Sequence, residues 1–223
     1  MEAPLFQKDY WERKSLEERR APDHPVVRDY VTPKIAWIQK FVPMAPSARL
    51  LDVGCGNGFF SYYFDRICQT VGIDYSSQML SRNPIRQKFQ MDAGCLAFSD
   101  VSFDVVFCHA LLHHVENMDS ILKEMKRVSR KYVVVLEPNP VNPLMFLFSA
   151  WVPEERKALS FSPAYLKEKI ENAGLILVAS CSHGMIVPNK APAFLLPFLR
   201  LFNFPNPWGM THILIAQRKT PDF

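Results

Sequence analysis

The sequence lacks several features that would announce a function early. It has no Cys-x-x-Cys pair: its five cysteines, Cys55, Cys68, Cys95, Cys108 and Cys181, are scattered and odd in number, two of them inside apolar runs. That argues against a disulfide framework and predicts buried thiols in a reduced, cytoplasmic chain. No apolar run reaches the roughly 18 residues of a membrane-spanning helix. The opening stretch, MEAPLFQKDYWERKSLEERR, is charged and lacks the apolar centre of a signal peptide. No block of five or more Lys/Arg occurs and the net charge of +4 is spread along the chain, so there is no electrostatic footprint for nucleic acid. Glycine is scarce, 8 residues in 223. Three of them crowding into five positions therefore ask for a reason.

What is present is globular: 48% apolar and 22% charged residues over a length suited to one domain. A helical pattern covers residues 33–42, with Ile35, Ile38 and Phe41/Val42 on one face and Pro43 and Pro46 closing it. Strands and helices then alternate. Strands are expected at 49–54, 69–75, 89–93, 103–110 and 132–137, and helices near 58–66, from Ser76, and at 117–129. The continuous Val/Ile/Leu runs suit a parallel sheet buried on both faces, so the fold class is α/β. Ser162, Pro163 and Gly174 supply start and stop chemistry for a further helix, followed by strands at 175–182 and 210–217. Two stretches interrupt this alternation. Residues 138–153 carry no charge, and residues 187–209 carry two charges and five prolines. They read as core padding, as an apolar lid over a hydrophobic substrate, or as a patch resting on a membrane.

The crowded glycines lie in LLDVGCGNGFF, residues 50–60, as Gly54, Gly56 and Gly58. The spacing fails the G-x-G-x-x-G dinucleotide turn, since Phe59 stands where the last glycine belongs, and no Lys-Ser/Thr follows to make a phosphate loop. The glycines still require a sharp bend with a backbone brought close to a ligand. Asp52, two residues before them, sits badly beside a pyrophosphate and well beside an ammonium or sulfonium. Asp74 ends the second strand, where a carboxylate can accept from both hydroxyls of a ribose; it can also merely neighbour a helix cap at Ser76. Asp92, past the third strand, can accept from an adenine amino group or cap a short turn. Acids at the ends of strands one, two and three make one constellation, which reads an adenosine joined to a cationic amino acid.

The successive stretches LLDVGCGNGFF, VGIDYSSQML, QMDAGCLAFSDVSFDVVFCHALLHHV and LKEMKRVSRKYVVVLEPN resemble the motifs of class I S-adenosylmethionine-dependent methyltransferases, most of all the small-molecule group called methyltransferase type 11. The resemblance is strong over residues 48–140 and weak beyond. It implies a doubly wound, Rossmann-like sheet of seven strands in the order 3-2-1-4-5-7-6, with the last strand antiparallel and helices on both faces. It implies one domain over 1–223: an N-terminal helical lid (1–47), a cofactor-binding core (48–140), a substrate-side half with apolar insertions (141–209) and the final strand (210–218). It implies S-adenosyl-L-methionine as cofactor, with Asp52, Gly54, Gly56 and Gly58 along its methionine part and Asp74 on the ribose. Tyr75 and Met79 would flank the adenine, Asp92 and Ala93 would border it, and His109 would stand beside the methyl donor. One departure is Leu96-Ala97-Phe98, where such sites often have Leu-Pro-Phe.

Methyl transfer from a sulfonium needs an aligned nucleophile and exclusion of water; a base is needed only where the acceptor is protonated. Catalytic candidates are His109, His113 and Glu137, with His114 beside them. Each has a plainer reading: His109 as a cofactor wall, the histidine pair as packing and capping of a turn, Glu137 as an organiser of the loop that follows. A metal is not expected, because adjacent residues rarely chelate together and no third Cys or His has fitting spacing. Tyr10 and Trp11 could fold over the cofactor. If the aromatic residues concentrated in 138–153 and 187–209 roof the site, the acceptor is small and apolar, such as a lipid, and peripheral membrane contact is open to them; if they are core, it is any small metabolite. No transmembrane segment is expected. Two other classes stay open: a non-catalytic cofactor- or partner-binding module, and a protein or RNA methyltransferase. Oligomeric state is not legible.

Overall fold

The structure is a computed structural model, and it describes residues 19–219; Tyr10, Trp11 and most of the expected lid's first part lie outside them. Seven strands form one sheet: β1 (Arg49–Val53), β2 (Gln69–Asp74), β3 (Lys88–Gln90), β4 (Phe103–His109), β5 (Ser129–Pro138), β6 (Leu175–His183) and β7 (Thr211–Arg218), in the order β3-β2-β1-β4-β5-β7-β6. β3, β2, β1, β4 and β5 pair in parallel, while β7 runs antiparallel to both β5 and β6. The order is that implied by the motif resemblance.

The continuous apolar runs have the expected cause. In β5, Tyr132, Val134 and Leu136 point into one core and Val133 and Val135 into the other; in β7, Ile213 and Ile215 oppose Leu214 and Ala216 in the same way. Strand side chains alternate faces, so a sheet covered on both sides must be apolar at every position. On one face packs α1 (Pro25–Ile38), and on the other α4 (Met118–Val128) and α6 (Pro163–Asn172). Two short helices, α2 (Ser61–Phe64) and α3 (Ser77–Arg82), follow β1 and β2. Two more, α5 (Pro143–Trp151) and α7 (Leu196–Arg200), lie in the two interrupting stretches.

The first helix corrects the sequence reading. It begins at Pro25, with His24 Nδ1 accepting from the Val26 N–H at 3.1 Å, and ends at Ile38; Pro33 is inside it. Proline at position 33 removes the N–H that would bond the Asp29 carbonyl. The Asn203 side chain donates to that carbonyl instead. A residue far along the chain thus repairs the helix and ties α1 to the second interrupting stretch. The remaining boundaries differ by a few residues: β3 ends at Gln90, and α2 is one turn because the preceding loop stays bent through Gly58. Ser76 and Ser162 cap α3 and α6, accepting from the N–H groups of Met79 and Tyr165.

Candidate active site

The strand order reverses between β1 and β4, and a crevice opens above their carboxyl ends, where ligands of open α/β sheets bind. It is a cavity of about 1040 Å³, just above the roughly 300–1,000 Å³ usual for ligand pockets. One wall is the bend after β1. Gly54, Gly56 and Gly58 all have positive φ, at 71°, 50° and 94°. At Gly58 a Cβ would come within 2.6 Å of Asn83 Oδ1, so both conformation and space demand glycine.

Three carboxylates line this wall. Asp52 is 2% exposed; it accepts from Ser61 Oγ at 2.5 Å. Burial pushes its carboxyl up to about 7, with the Ser61 bond pulling the other way. Asp74 accepts from the Ser76 N–H through Oδ1 at 2.9 Å and from the Gly56 N–H through Oδ2 at 2.8 Å. Burial raises it and these backbone donors hold it down. It therefore fastens the glycine bend to the end of β2, and each oxygen keeps a second lone pair for a ligand. Asp92 is exposed, with Oδ1 accepting from the Gly94 N–H at 2.7 Å. Exposed Tyr75, buried Met79 and half-buried Ala93 complete this wall.

The floor is polar and neutral. His109 Nε2 lies 2.7 Å from the Tyr30 hydroxyl, which is 3.1 Å from Thr211 Oγ1. Burial lowers His109 to about 3, helped by Lys34, Arg19 and His113; burial also raises Tyr30. At neutral pH both are uncharged. The far wall is mainly apolar, with Met145, Phe148 and Val152 of the α5 region and Ile186, Val187 and Met210, and Glu155, Asn189 and Lys190 add polar groups to the lining.

His113 and Glu137 do not line the cavity; they lie behind it, both buried. Glu137 Oε1 accepts from the N–H groups of Leu111 and Leu112 at 3.1 and 2.8 Å, and Oε2 meets His113 Nδ1 at 2.5 Å. His113 Nε2 reaches Glu155 Oε2 at 3.1 Å, and Glu155 does line the cavity. Burial alone would depress His113, but the Glu137 charge and its bonds to Glu137 and Glu155 outweigh that and lift it to about 9. The chain is thus carboxylate, imidazolium, carboxylate. Ligand atoms of His113, His114 and Glu155 fall within 4.8 Å of one another, a grouping that sequence spacing hides because Glu155 lies 42 residues on. Both ring nitrogens of His113 are already engaged by carboxylates.

Sequence reasoning missed Tyr30, Ser61, Glu155 and Thr211. Ser61 carries a weak signal, a hydroxyl opening the helix after the glycine bend. The other three meet the site only through packing of distant elements and leave no local pattern.

Residues 51–135 match the family model described as "Methyltransferase domain". A phosphatidylethanolamine N-methyltransferase of Cereibacter sphaeroides is 34% identical over 97 residues, covering 39% of this chain and 48% of that one. A 2-phytyl-1,4-naphtoquinone methyltransferase of Synechocystis is 31% identical over 133 residues, covering 52% and 56%. The chain thus spans about half the length of these curated relatives. The solved structure of magnesium protoporphyrin IX methyltransferase from Synechocystis, with bound S-adenosylhomocysteine, superposes with TM-score 0.68 at 16% identity, covering 97% of this chain and 100% of that one. At that identity the likeness concerns the fold.

Proposed function

We propose that the chain is a class I S-adenosylmethionine-dependent methyltransferase that transfers a methyl group to a small, apolar, lipid-like acceptor; the match of residues 51–135 to a methyltransferase domain and the shared fold support this reading. The observation that carries this reading is the division of one cavity into two unlike walls: three carboxylates around a glycine bend on one side, and Met145, Phe148, Val152 and Met210 on the other.

The donor set fits the cofactor. A wall bearing Asp74 and Asp92, with Asp52 ionising as a cation settles beside it, repels a pyrophosphate and attracts an ammonium and a sulfonium. Asp52 and the backbone at Gly54–Gly56 would hold the methionine part, Asp74 the ribose, and Tyr75, Met79, Asp92 and Ala93 the adenine. When bound, the cofactor supplies a methyl group already activated on its sulfonium. The protein then has to orient the acceptor and exclude water, which in favourable models is worth roughly 7–11 kcal/mol. His109, neutral and bonded to Tyr30, serves as a floor beside the methyl donor rather than as a base. We assign Glu137 and His113 positioning work: Glu137 holds the turn at Leu111–Leu112 and the His113 imidazolium, which steadies Glu155 at the acceptor side. Glu155 is then the carboxylate placed to hold a polar head of the acceptor.

The relatives' names fit an apolar acceptor: one is a phosphatidylethanolamine methyltransferase and another acts on a phytyl naphthoquinone. The test is transfer of a labelled methyl group to extracted membrane lipids and quinone precursors, against hydrophilic metabolites as controls. Label in the lipid fraction alone is expected; label only in hydrophilic products, or binding without turnover, would overturn the reading.

A further inference from the structure

Among the described residues, the two interrupting stretches form an exposed apolar surface. On α5, Leu144, Leu147 and Trp151 follow one another at helical spacing and stand in solvent, Trp151 at 86% exposure. The same helix turns Met145 and Phe148 into the cavity. In the second stretch Phe194 is 81% exposed, and Phe198 and Trp208 are exposed as well. The stretches meet where Asn142, the cap of α5, donates to the Trp208 carbonyl, while Asn139 donates to the Gly209 carbonyl at 2.8 Å. The second stretch gives Ala191 and Leu196 to the core; core padding does not account for the exposed apolar residues.

We propose that this surface docks on a phospholipid bilayer and that the apolar acceptor enters the cavity from it. The occupant is argued from charge and continuity. Residues 138–153 and 187–209 contain Lys190 and Arg200 and no acid at all. The acids that border these stretches are compensated: Glu154 and Glu155 are followed by Arg156 and Lys157, Glu155 faces His113 Nε2 at 3.1 Å, and Asp29 is bonded by Arg200 Nε at 2.6 Å. Tryptophan and phenylalanine are the side chains that settle at a membrane interface. A helix apolar on both faces, one toward the cavity and one outward, lets an acyl or isoprenoid chain pass from bilayer to site without crossing water. The entry step rests on the acceptor reading above; the docking itself does not.

The test is sedimentation with phosphatidylcholine vesicles containing phosphatidylglycerol. The wild type should sediment with the vesicles. The double variant Trp151→Glu/Phe198→Glu should lose about tenfold or more of the bound fraction while binding S-adenosylmethionine normally, which shows that it is folded. Failure of the wild type to sediment, equal sedimentation of the variant, or a dimer that the variant breaks would overturn the proposal, the last making the surface a contact between copies of this chain. Vesicle binding without methylation of lipids would sink the acceptor reading and leave the docking; turnover of a soluble short-chain acceptor without vesicle binding would do the reverse.

Discussion

His109 and His113 lie a few residues apart and are driven in opposite directions by their surroundings. Burial with Lys34 and Arg19 nearby takes His109 down to about 3, whereas two carboxylates overcome burial and take His113 up to about 9. Histidine NMR at neutral pH should therefore show a doubly protonated His113 and a neutral His109; a neutral His113 ring would remove the imidazolium from the account. The sign for stability follows from linkage. A raised folded pKa means that the His113 contribution is complete below its unfolded value near 6.5 and is lost as pH rises through about 9. At Asp74 the prediction concerns binding. Asp74→Ala removes the acceptor of two backbone N–H groups and, on the proposed assignment, of the ribose hydroxyls, and should weaken S-adenosylmethionine by about 1–3 kcal/mol, roughly 5- to 150-fold. Unchanged affinity in a calorimetric titration would defeat the ribose assignment.

At the scale of elements, α1 is held by a repair. Asn203 stands in for the N–H that Pro33 lacks. Asn203→Ala should cost about 1–2 kcal/mol of stability in denaturant titration. In a Pro33→Ala background, where the backbone donor returns, the cost should fall to within about 0.5 kcal/mol; an equal cost in both backgrounds would show that the bond is incidental. The same helix shows where sequence reading stops. Pro33 reads locally as a helix start, and only the partner from residue 203 permits it inside. The strands were easier, because a sheet buried on both faces writes its pattern into consecutive residues, as β5 and β7 show.

For the whole molecule, legibility divides the site in two. The carboxylate wall follows β1, β2 and β3 in chain order, so Asp52, Asp74 and Asp92 could be located from strand ends alone. The floor and the far wall are assembled from far apart: Tyr30 meets His109 79 residues away, and His113 meets Glu155 42 residues away. The central claim is that a row of carboxylates beside a bent backbone receives a cationic nucleoside. Isothermal titration of the intact protein with S-adenosylmethionine and, separately, with NAD tests it most directly. The account predicts saturable binding of the first with one site per chain and no heat from the second. Binding of NAD, or a protein that takes neither, would contradict it.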